Sequence, residues 1–509
     1  MAPACTGRQH HDAHGRHGKT PEAVFRLTHK EPSCMFQQQF FSMVARHRDY
    51  PAVVDSHGKT RSYGELLQDI DQLRARLHAA GLREGDVVAT QLGNSTGYVA
   101  LLFAMASLGL IHCPVSVASS THQRAMRLGQ VGAALLITEA GIVPAGLGVP
   151  GFTLYSPTPV NLKTPAWRDC AGLMRMQETS GSTGAPKLAL WRQDRLYREI
   201  MHWVDSAGLD AGARYLNIHS LDGGHAVDLH VFPALLTGAT LYLGDATQVE
   251  HTLRTLHEQR ISVMSALPSQ YLELAQAAQN TGIRLPALSK PFCGGAYLDD
   301  HVVLESERHL GVHLKRIYGS TEFGMVLANF TPNLQVGCGM RPVGDVEVTL
   351  ETLDPAQPEV GEIIARSTHR GSGYFPPAPI PCEDQAYATG DIARRLADGS
   401  LMPLGRATDA LLTQQGMQFA PALEAQIAQA MKFERVVVLV DEQDRRRAHV
   451  IVQGNTADAH ERLAKLTGGL ERLGISANIA VLERIPMTPT GKPDRVRLRK
   501  QLGAQQQLR

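Results

Sequence analysis

A regular alternation of helix-like and strand-like segments constrains the fold of this 509-residue chain more than any other feature. Residues 65–80 carry leucine and isoleucine at helical spacing, and glycines separate them from the β-branched segment 87–92. A second helix-like segment, 99–108, follows, and the same pattern returns at 249–264 and before 312–317. Such alternation, with short glycine-marked turns, is typical of an α/β fold with largely parallel, buried sheets.

The patterning and the charge composition of the sequence change at two points toward its C-terminal end. After about residue 341, short runs punctuated by proline and glycine indicate a small β-rich subdomain. From Arg406 onward the chain has 16 Lys and Arg against 11 Asp and Glu, a local charge of +5 within a total of +1. We therefore predict a polar, His-rich disordered extension over 1–35, a large N-terminal domain of layered α/β sheets over 36–405, whose β-rich part is about 341–405, and a small mobile α+β C-terminal domain over 406–509.

Composition excludes several classes of protein. A net charge of +1 gives no general polyanion-binding surface, so we expect no nucleic-acid partner. The 7 cysteines are scattered and form no CxxC, which indicates neither a disulfide framework nor a zinc site and favours a reducing, cytoplasmic location. The longest apolar run, 98–111, is shorter than the ~18 residues of a membrane span, so we predict a soluble protein with no membrane span.

One segment has the composition of a phosphate-binding loop. Its glycines let the backbone approach an anion, and its hydroxyls and lysine can donate to phosphate oxygens. The segment reads Thr179-Ser180-Gly181-Ser182-Thr183-Gly184-Ala185-Pro186-Lys187. The nucleoside triphosphatase loop G-x-x-x-x-G-K-[ST] does not fit, because Pro186 takes the position of its second glycine.

Further strings follow this loop in a fixed order. They are Gly294-Gly295-Ala296, Ile317-Tyr318-Gly319-Ser320-Thr321-Glu322, Tyr387-Ala388-Thr389-Gly390-Asp391, Gly405-Arg406 and Pro486-Met487-Thr488-Pro489-Thr490-Gly491-Lys492. Their order and spacing, over about residues 36–500, resemble the adenylate-forming superfamily of acyl- and aryl-CoA synthetases, peptide-synthetase adenylation domains and luciferases. The chain is similar to a stand-alone acyl- or aryl-acid ligase of that superfamily.

The resemblance implies an AMP-forming acid–thiol ligase. Such an enzyme uses ATP to convert a carboxylic acid into an acyl-adenylate, releases pyrophosphate, and passes the acyl group to a thiol. The thiol belongs to CoA or to the phosphopantetheine of a carrier protein, and we expect any such carrier to act in trans. Two alternatives stay open: a non-catalytic nucleotide-binding or scaffold protein, and a luciferase-like oxygenase.

The resemblance also assigns catalytic residues. Because both reactants are anionic, the site must neutralise charge and align the carboxylate with the α-phosphate. By resemblance, Glu322 holds Mg²⁺, Thr321 contacts the α-phosphate, and Lys492 reaches the carboxylate and the bridging oxygen. An oxygen ligand suits this hard cation.

The other residues that the resemblance implies bind the nucleotide. The loop from Thr179 to Lys187 covers the β- and γ-phosphates, Tyr318 offers its ring to adenine, and Asp391 and Arg406 hold the ribose. The expected nucleotide-binding set is Thr179, Ser180, Gly181, Ser182, Thr183, Gly184, Lys187, Gly294, Gly295, Ala296, Tyr318, Gly319, Asp391 and Arg406.

The acid-binding pocket follows from the same resemblance. His225 takes the position at which the amino-acid-activating branch keeps an aspartate, so an α-amino acid is not the expected substrate. The remaining lining is apolar: Ala226, Leu229, Ala266, Phe292, Gly294, Ile317, Met325 and Val326. Such a pocket suits an aryl or medium-chain acyl carboxylate. Whether His225 or His219 faces the substrate, or either is purely structural, stays open.

Three positions depart from the superfamily pattern. Trp191 begins the triplet Trp-Arg-Gln where a histidine is usual, Thr408 takes the hinge position usually held by Asp or Lys, and Leu423 replaces an expected glutamate. These departures concern the second half-reaction more than the first. We expect the small domain to rotate about Thr408 nonetheless, because a single threonine can absorb a backbone change.

Overall fold

The computed structural model describes residues 35–139, 148–149, 152–155, 172–179, 187–331, 337–355, 357–376, 386–454, 460–488 and 492–506. All but the last residue of the predicted N-terminal extension lies outside the described residues. In the part of the chain that is described, no helix is both long and apolar enough to cross a membrane.

The α-helices follow in chain order. They are α1 (Met35–His47), α2 (Tyr63–Ala79), α3 (Thr96–Ser107), α4 (Thr121–Val131), α5 (Gln193–Ala207), α6 (Gly224–Ala226), α7 (Phe232–Thr237), α8 (Val249–Glu258), α9 (Pro268–Thr281), α10 (Asp300–Glu305), α11 (Ala420–Met431), α12 (His460–Arg472) and α13 (Arg495–Gln506). A π-helical turn, Val227–Val231, joins α6 to α7, and another, Ser306–Leu310, extends α10.

The strands are short. They are β1 (Pro51–Val54), β2 (Thr60–Ser62), β3 (Val87–Gln91), β4 (Ile111–Pro114), β5 (Leu135–Thr138), β6 (Gly148–Val149), β7 (Phe152–Tyr155), β8 (Leu173–Glu178), β9 (Leu188–Arg192), β10 (Arg214–Asn217), β11 (Thr240–Leu243), β12 (Val263–Ala266), β13 (Lys290–Cys293), β14 (Lys315–Ser320), β15 (Gly324–Ala328), β16 (Arg341–Pro342), β17 (Glu347–Thr352), β18 (Val360–Arg366), β19 (Gly373–Phe375), β20 (Tyr387–Arg395), β21 (Leu401–Arg406), β22 (Ala410–Thr413), β23 (Gly416–Phe419), β24 (Val436–Val440), β25 (Arg447–Gln453) and β26 (Ser476–Leu482).

Two large sheets form the framework of the described residues. One has the order β16-β15-β14-β13-β12-β10-β11-β1-β2 and is parallel from β14 through β1; the other has the order β19-β9-β8-β4-β3-β5-β7-β6 with a parallel centre. Helices α1, α2, α3, α5 and α7 supply apolar side chains to one core that both sheets share. Helices α8, α9 and α10 cover the far face of the first sheet, and α4 covers that of the second. The predicted layered α/β fold with parallel, buried sheets is confirmed.

Local sequence explains where these elements begin. At the start of α2, the Ser62 hydroxyl accepts from the Glu65 N–H (3.2 Å), and the Glu65 carboxylate accepts from the Ser62 N–H (2.8 Å). The residues expected on one face of α2 are all buried in the shared core. Helix α3 is buried along nearly its whole length, which accounts for its apolar sequence.

The C-terminal third is built from smaller sheets. Strands β17, β18, β20 and β21 form an antiparallel sheet, and β22 pairs with β23. Beyond them, β24, β25 and β26 form a three-stranded sheet whose two faces pack on α11 and α12 and on α13. The β-rich segment and the α+β segment expected from the sequence are therefore built from separate sheets.

Candidate active site

The predicted phosphate loop connects β8 to β9. Residues 180–186, which include the predicted contacts Ser180, Gly181, Ser182, Thr183 and Gly184, lie outside the described residues. At the base of the loop, the Thr179 N–H and hydroxyl both donate to the Lys187 carbonyl, at 2.9 and 3.3 Å. The Lys187 ammonium lies 5.6 Å from the centroid of the Tyr374 ring. The two ends of the loop are therefore joined beside an aromatic side chain.

The turn that carries Thr321 and Glu322 joins β14 to β15 and is held from two sides. The Trp191 indole donates to the Thr321 carbonyl (2.9 Å), and the Gly371 N–H donates to the Glu322 carbonyl (3.0 Å). Burial and the charge of Glu322 raise the pKa of the Tyr374 hydroxyl, which lies 3.4 Å from the Tyr387 hydroxyl. The main chain of the turn is thus fixed by other elements, while the Glu322 side chain remains half-buried.

A polar network lies where β14 meets β20 and β21. The Tyr318 hydroxyl donates to Asp391 Oδ2 (2.7 Å), and Arg406 Nε lies 3.4 Å from Asp391 Oδ1. Asp391 and Arg406 are direct partners across the two strands. Burial raises the pKa of Asp391, although Arg406 and Tyr318 act in the opposite direction. These three predicted nucleotide-binding residues are brought together.

Lys492 comes from the C-terminal part of the chain and lies beside this network. Its side chain is half-buried, and its own carbonyl accepts from the Thr488 N–H (2.7 Å). Burial, assisted by the positive charge of Arg406, lowers the pKa of the Lys492 ammonium, while Asp391 opposes that shift. Its charge also lowers the pKa values of His219 and His225. Lys492 is therefore close enough to the Asp391–Arg406 pair and to these histidines for the charges to influence one another.

Three histidines surround Ser265 in β12. His219 Nε2 donates to the Ser265 carbonyl (3.0 Å), His225 Nε2 lies 2.8 Å from the Ser265 hydroxyl, and the Ser265 N–H donates to His230 Nε2 (3.0 Å). Burial lowers the pKa of His219 to about 4 and that of His230 to about 3, and it lowers the pKa of His225 well below its usual range. All three rings are therefore neutral at neutral pH.

Two glycines close the same region. A side chain at Gly294 would collide with Ile317. Gly295 has a φ of +78°, and the His225 ring lies 3.6 Å from the position that a Cβ of Gly295 would take. Only glycine adopts this left-handed conformation at little cost. The Gly294–Ala296 segment therefore brings the main chain close to both β14 and the histidines.

The predicted apolar lining separates into two groups. Ala226, Leu229, Phe292, Ile317 and Met325 are buried in the core that the two large sheets share. Ala266 packs in the core on the far face of its sheet, and Val326 packs with Phe323 and Leu327 against the β-rich part.

Ala266 and Val326 pack apart from the other residues of the predicted lining, because successive side chains in a strand point to opposite faces. In β12 it is Ser265, not Ala266, that meets the histidines. In β15 it is Met325, not Val326, that faces the shared core.

Sequence reasoning also missed several polar contacts. Arg175 in β8 makes two hydrogen bonds of 2.6 Å to the Asp228 carboxylate, in the π-helical turn between His225 and His230. Glu424 accepts from the Val438 N–H (2.7 Å) and from Arg495 (2.6 Å). No local signal identifies such pairs, because their partners are 53, 14 and 71 residues apart in the chain.

Comparison with known proteins agrees with this geometry. The model of a family described as AMP-binding enzyme matches residues 40–375. An indoleacetate–CoA ligase of Aromatoleum aromaticum is 25% identical over 472 residues, covering 85% of this chain and 91% of its own length. A salicyl-AMP ligase/salicyl-S-ArCP synthetase of Mycobacterium tuberculosis is 26% identical over 500 residues, covering 87% and 85%.

Solved structures support the same assignment of fold. The anthranilate CoA ligase AuaEII, in complex with anthranoyl-AMP, superposes with a TM-score of 0.74 at 18% identity, covering 93% of this chain and 100% of that one. The fold, the assembled residues and the family match over residues 40–375 lead to one conclusion. The chain belongs to the AMP-binding enzyme family.

Proposed function

We propose that this enzyme uses ATP to convert a carboxylic acid into an acyl-adenylate and pyrophosphate, and then transfers the acyl group to a thiol. One observation carries the proposal: the charge of Lys492 acts both on Asp391, the partner of Arg406, and on His219 and His225 beside Ser265. A cation at that point can neutralise a carboxylate and an α-phosphate as they approach each other.

The nucleotide would be held by the network at β14, β20 and β21. In this proposal the ribose hydroxyls donate to Asp391, which Tyr318 and Arg406 already orient. The phosphates extend toward Thr179 and Lys187 at the base of the loop. The positions of the intervening loop residues 180–184 rest on the resemblance alone.

The residues present fit a divalent cation beside the phosphates. Glu322 is a hard oxygen donor, it is half-buried, and its charge acts on the nearby Tyr374 hydroxyl. Glu322 would hold the Mg²⁺, and the ion would supply charge neutralisation at the phosphate oxygens. Trp191 and Gly371 would contribute by fixing the main chain of the turn that carries Glu322, so that its carboxylate stays in place.

An aromatic acid is the substrate class that the pocket supports best. Leu229, Phe292, Ile317 and Met325 give an apolar surface, and the Gly294 main chain packs closely on Ile317. The half-buried His219 and His225 are neutral and can hydrogen-bond to a ring substituent. The named substrates of two relatives, indoleacetate and salicylate, are also aromatic carboxylates.

The second half-reaction would use a thiol of CoA or a carrier protein's phosphopantetheine, since relatives of both kinds match. We propose that residues 406–509 form a small domain that rotates about Thr408 between the two steps. The reaction and its substrates suit the cytoplasm. No observation favours the luciferase-like or scaffold alternatives, and the residues that a scaffold would have lost, Glu322 and Lys492, are both present.

Acid-dependent exchange of pyrophosphate into ATP tests the first half-reaction. A panel of aryl, fatty and amino acids identifies the substrate, and mass detection with CoA and with holo-carrier protein identifies the acceptor. In Lys492→Ala we expect exchange to fall roughly 100-fold or more, as for loss of a group that stabilises developing charge. Lys500→Ala removes an exposed lysine of α13 and should leave exchange unchanged. Near-normal exchange in Lys492→Ala would overturn the assignment.

A further inference from the structure

A second set of potential ligands lies behind the turn that carries Thr321 and Glu322. Glu199 and His202 are one helical turn apart on α5, and His369 comes from the segment between β18 and β19. One ligand atom from each of the three lies within 4.8 Å of the other two. The set is separate from Glu322, to which the nucleotide's cation is assigned above.

The geometry of these atoms matches a coordination shell. Glu199 Oε2 is 3.2 Å from His369 Nε2, and Asp345 Oδ1 is 3.2 Å from His202 Nε2 and 4.0 Å from His369 Nε2. Donors held at ~2.0–2.2 Å around a tetrahedral ion are roughly 3.4 Å apart. Glu199, His202 and His369 therefore lie close enough together to face one ion, and Asp345 approaches this group from the side of the two histidines.

The buried groups of this cluster lack ordinary partners. The side chains of Glu199 and His369 are 5% and 6% exposed. Glu199 Oε2 and His369 Nε2 both lack a hydrogen-bond partner in the described structure, although they face each other at 3.2 Å. A buried carboxylate oxygen without a donor is costly, whereas a bound cation would satisfy both atoms at once.

We propose that Glu199, His202 and His369 bind a divalent transition-metal ion, with Asp345 as the fourth ligand. Imidazole nitrogen combined with carboxylate oxygen, without sulfur, suits zinc among such ions. His202 Nε2 accepts a hydrogen bond from the Asp345 N–H (3.3 Å), so it is the unprotonated nitrogen of the ring, and binding an ion would replace this long hydrogen bond with a coordinate bond.

The proposed ion would connect three elements around the nucleotide-binding turn. Glu199 accepts through its other oxygen, Oε1, from the Met325 N–H (2.6 Å) at the start of β15. His369 is two residues before Gly371, whose N–H donates to the Glu322 carbonyl. The metal therefore has a structural role: it links α5 to the start of β15 and to the segment before Gly371, which both adjoin the turn. It takes no part in the reaction itself.

Metal analysis of the full-length, untagged protein tests the proposal. We expect about one zinc per chain that His369→Gln and Glu199→Gln lose and that His309→Gln retains. His309 forms a matched His–Glu pair with Glu305 (3.4 Å) but has no second histidine. All variants keep the N-terminal histidines His10, His11, His14 and His17, so zinc bound there cancels in the comparison.

Two further readouts keep the result unambiguous if one variant folds poorly. Zinc added to metal-free wild-type protein should raise its thermal midpoint, and this shift should vanish in Glu199→Gln, a nearly isosteric change. Cobalt in place of zinc should give the visible absorption of a four-coordinate nitrogen–oxygen site. Equal zinc content in wild type and both ligand variants, or no zinc-dependent shift in the wild type, would overturn the proposal.

Discussion

At the scale of single residues, Trp191 replaces the histidine usual in the resembled superfamily and takes a defined role. It is 1% exposed, and its indole N–H donates to the Thr321 carbonyl at 2.9 Å. A buried carbonyl left without a donor costs about 1–3 kcal/mol. We predict that Trp191→Phe raises the KM for ATP roughly ten-fold in pyrophosphate exchange, because the turn that is proposed to contact the phosphates loses a hydrogen bond that holds it.

Trp203 provides the matched control for that substitution. It is equally buried in the same core, but its indole N–H has no partner in the described structure. Trp203→Phe removes the same atoms without removing a hydrogen bond and should leave the KM for ATP unchanged. If both variants raise that KM equally, loss of packing explains the effect, and the role assigned to the indole N–H is wrong.

At the scale of elements, the hairpin of β14 and β15 depends on Gly324. This residue has a φ of +93°, and a side chain there would collide with the Glu199 carboxylate that holds the Met325 N–H. Gly324→Ala should therefore displace the turn between the two strands. We predict at least a ten-fold loss of pyrophosphate exchange together with a lower thermal midpoint.

Gly282, at the end of α9, provides a control in which an added side chain causes backbone strain but no collision. Its φ is +72°, and nothing lies within 4 Å of the position that a Cβ would take. Gly282→Ala pays a left-handed backbone cost of about 1–2 kcal/mol without a clash. We expect it to lower the midpoint slightly and to exchange pyrophosphate at the wild-type rate. An equal loss of exchange in both variants would contradict the argument.

Sequence periodicity predicted the elements well where burial imposes a pattern. The helical segments predicted at 65–80 and 99–108 are α2 and α3, and the strand predicted at 87–92 is β3 within one residue. At the end of the pattern predicted over 249–264, the β-branched residues begin at Ile261, but the strand itself is β12, Val263–Ala266. Ile261 is apolar because it is buried in the core just before that strand.

The site was harder to predict than the fold, because its residues come from many elements. Motif strings identified Tyr318, Asp391 and Lys492, which the structure brings together. No local pattern indicated Ser265, which lies in an apolar strand and meets three histidines 35 to 46 residues away. Transferring pocket positions from the resembled superfamily one residue at a time also takes no account of strand alternation. Ala266 and Val326 therefore pack apart from the other residues of the predicted lining.

At the scale of the whole molecule, Lys492 reaches the large sheets from a part of the chain that is only weakly attached to them at Arg435. Arg435 lies 3.7 Å from Glu273 in α9, and their side chains are 33% and 41% exposed. An exposed pair of this kind contributes about 0–1 kcal/mol. This ion pair therefore opposes reorientation only weakly, and the reorientation proposed for the second half-reaction has to overcome mainly the apolar packing of Ala410 and Phe419 against Val360 and Ile392.

Thr408 is where that reorientation is proposed to occur. It is exposed in the short turn Ala407–Asp409 between β21 and β22. Proline there fixes its own φ and restricts the conformation of Ala407, so rotation about this turn becomes costly. The first half-reaction needs no such rotation. We predict that Thr408→Pro slows thioester formation at least ten-fold and leaves pyrophosphate exchange within about two-fold, with Thr408→Ala near wild type in both assays. If thioester formation in Thr408→Pro is as intact as adenylation, the hinge lies elsewhere.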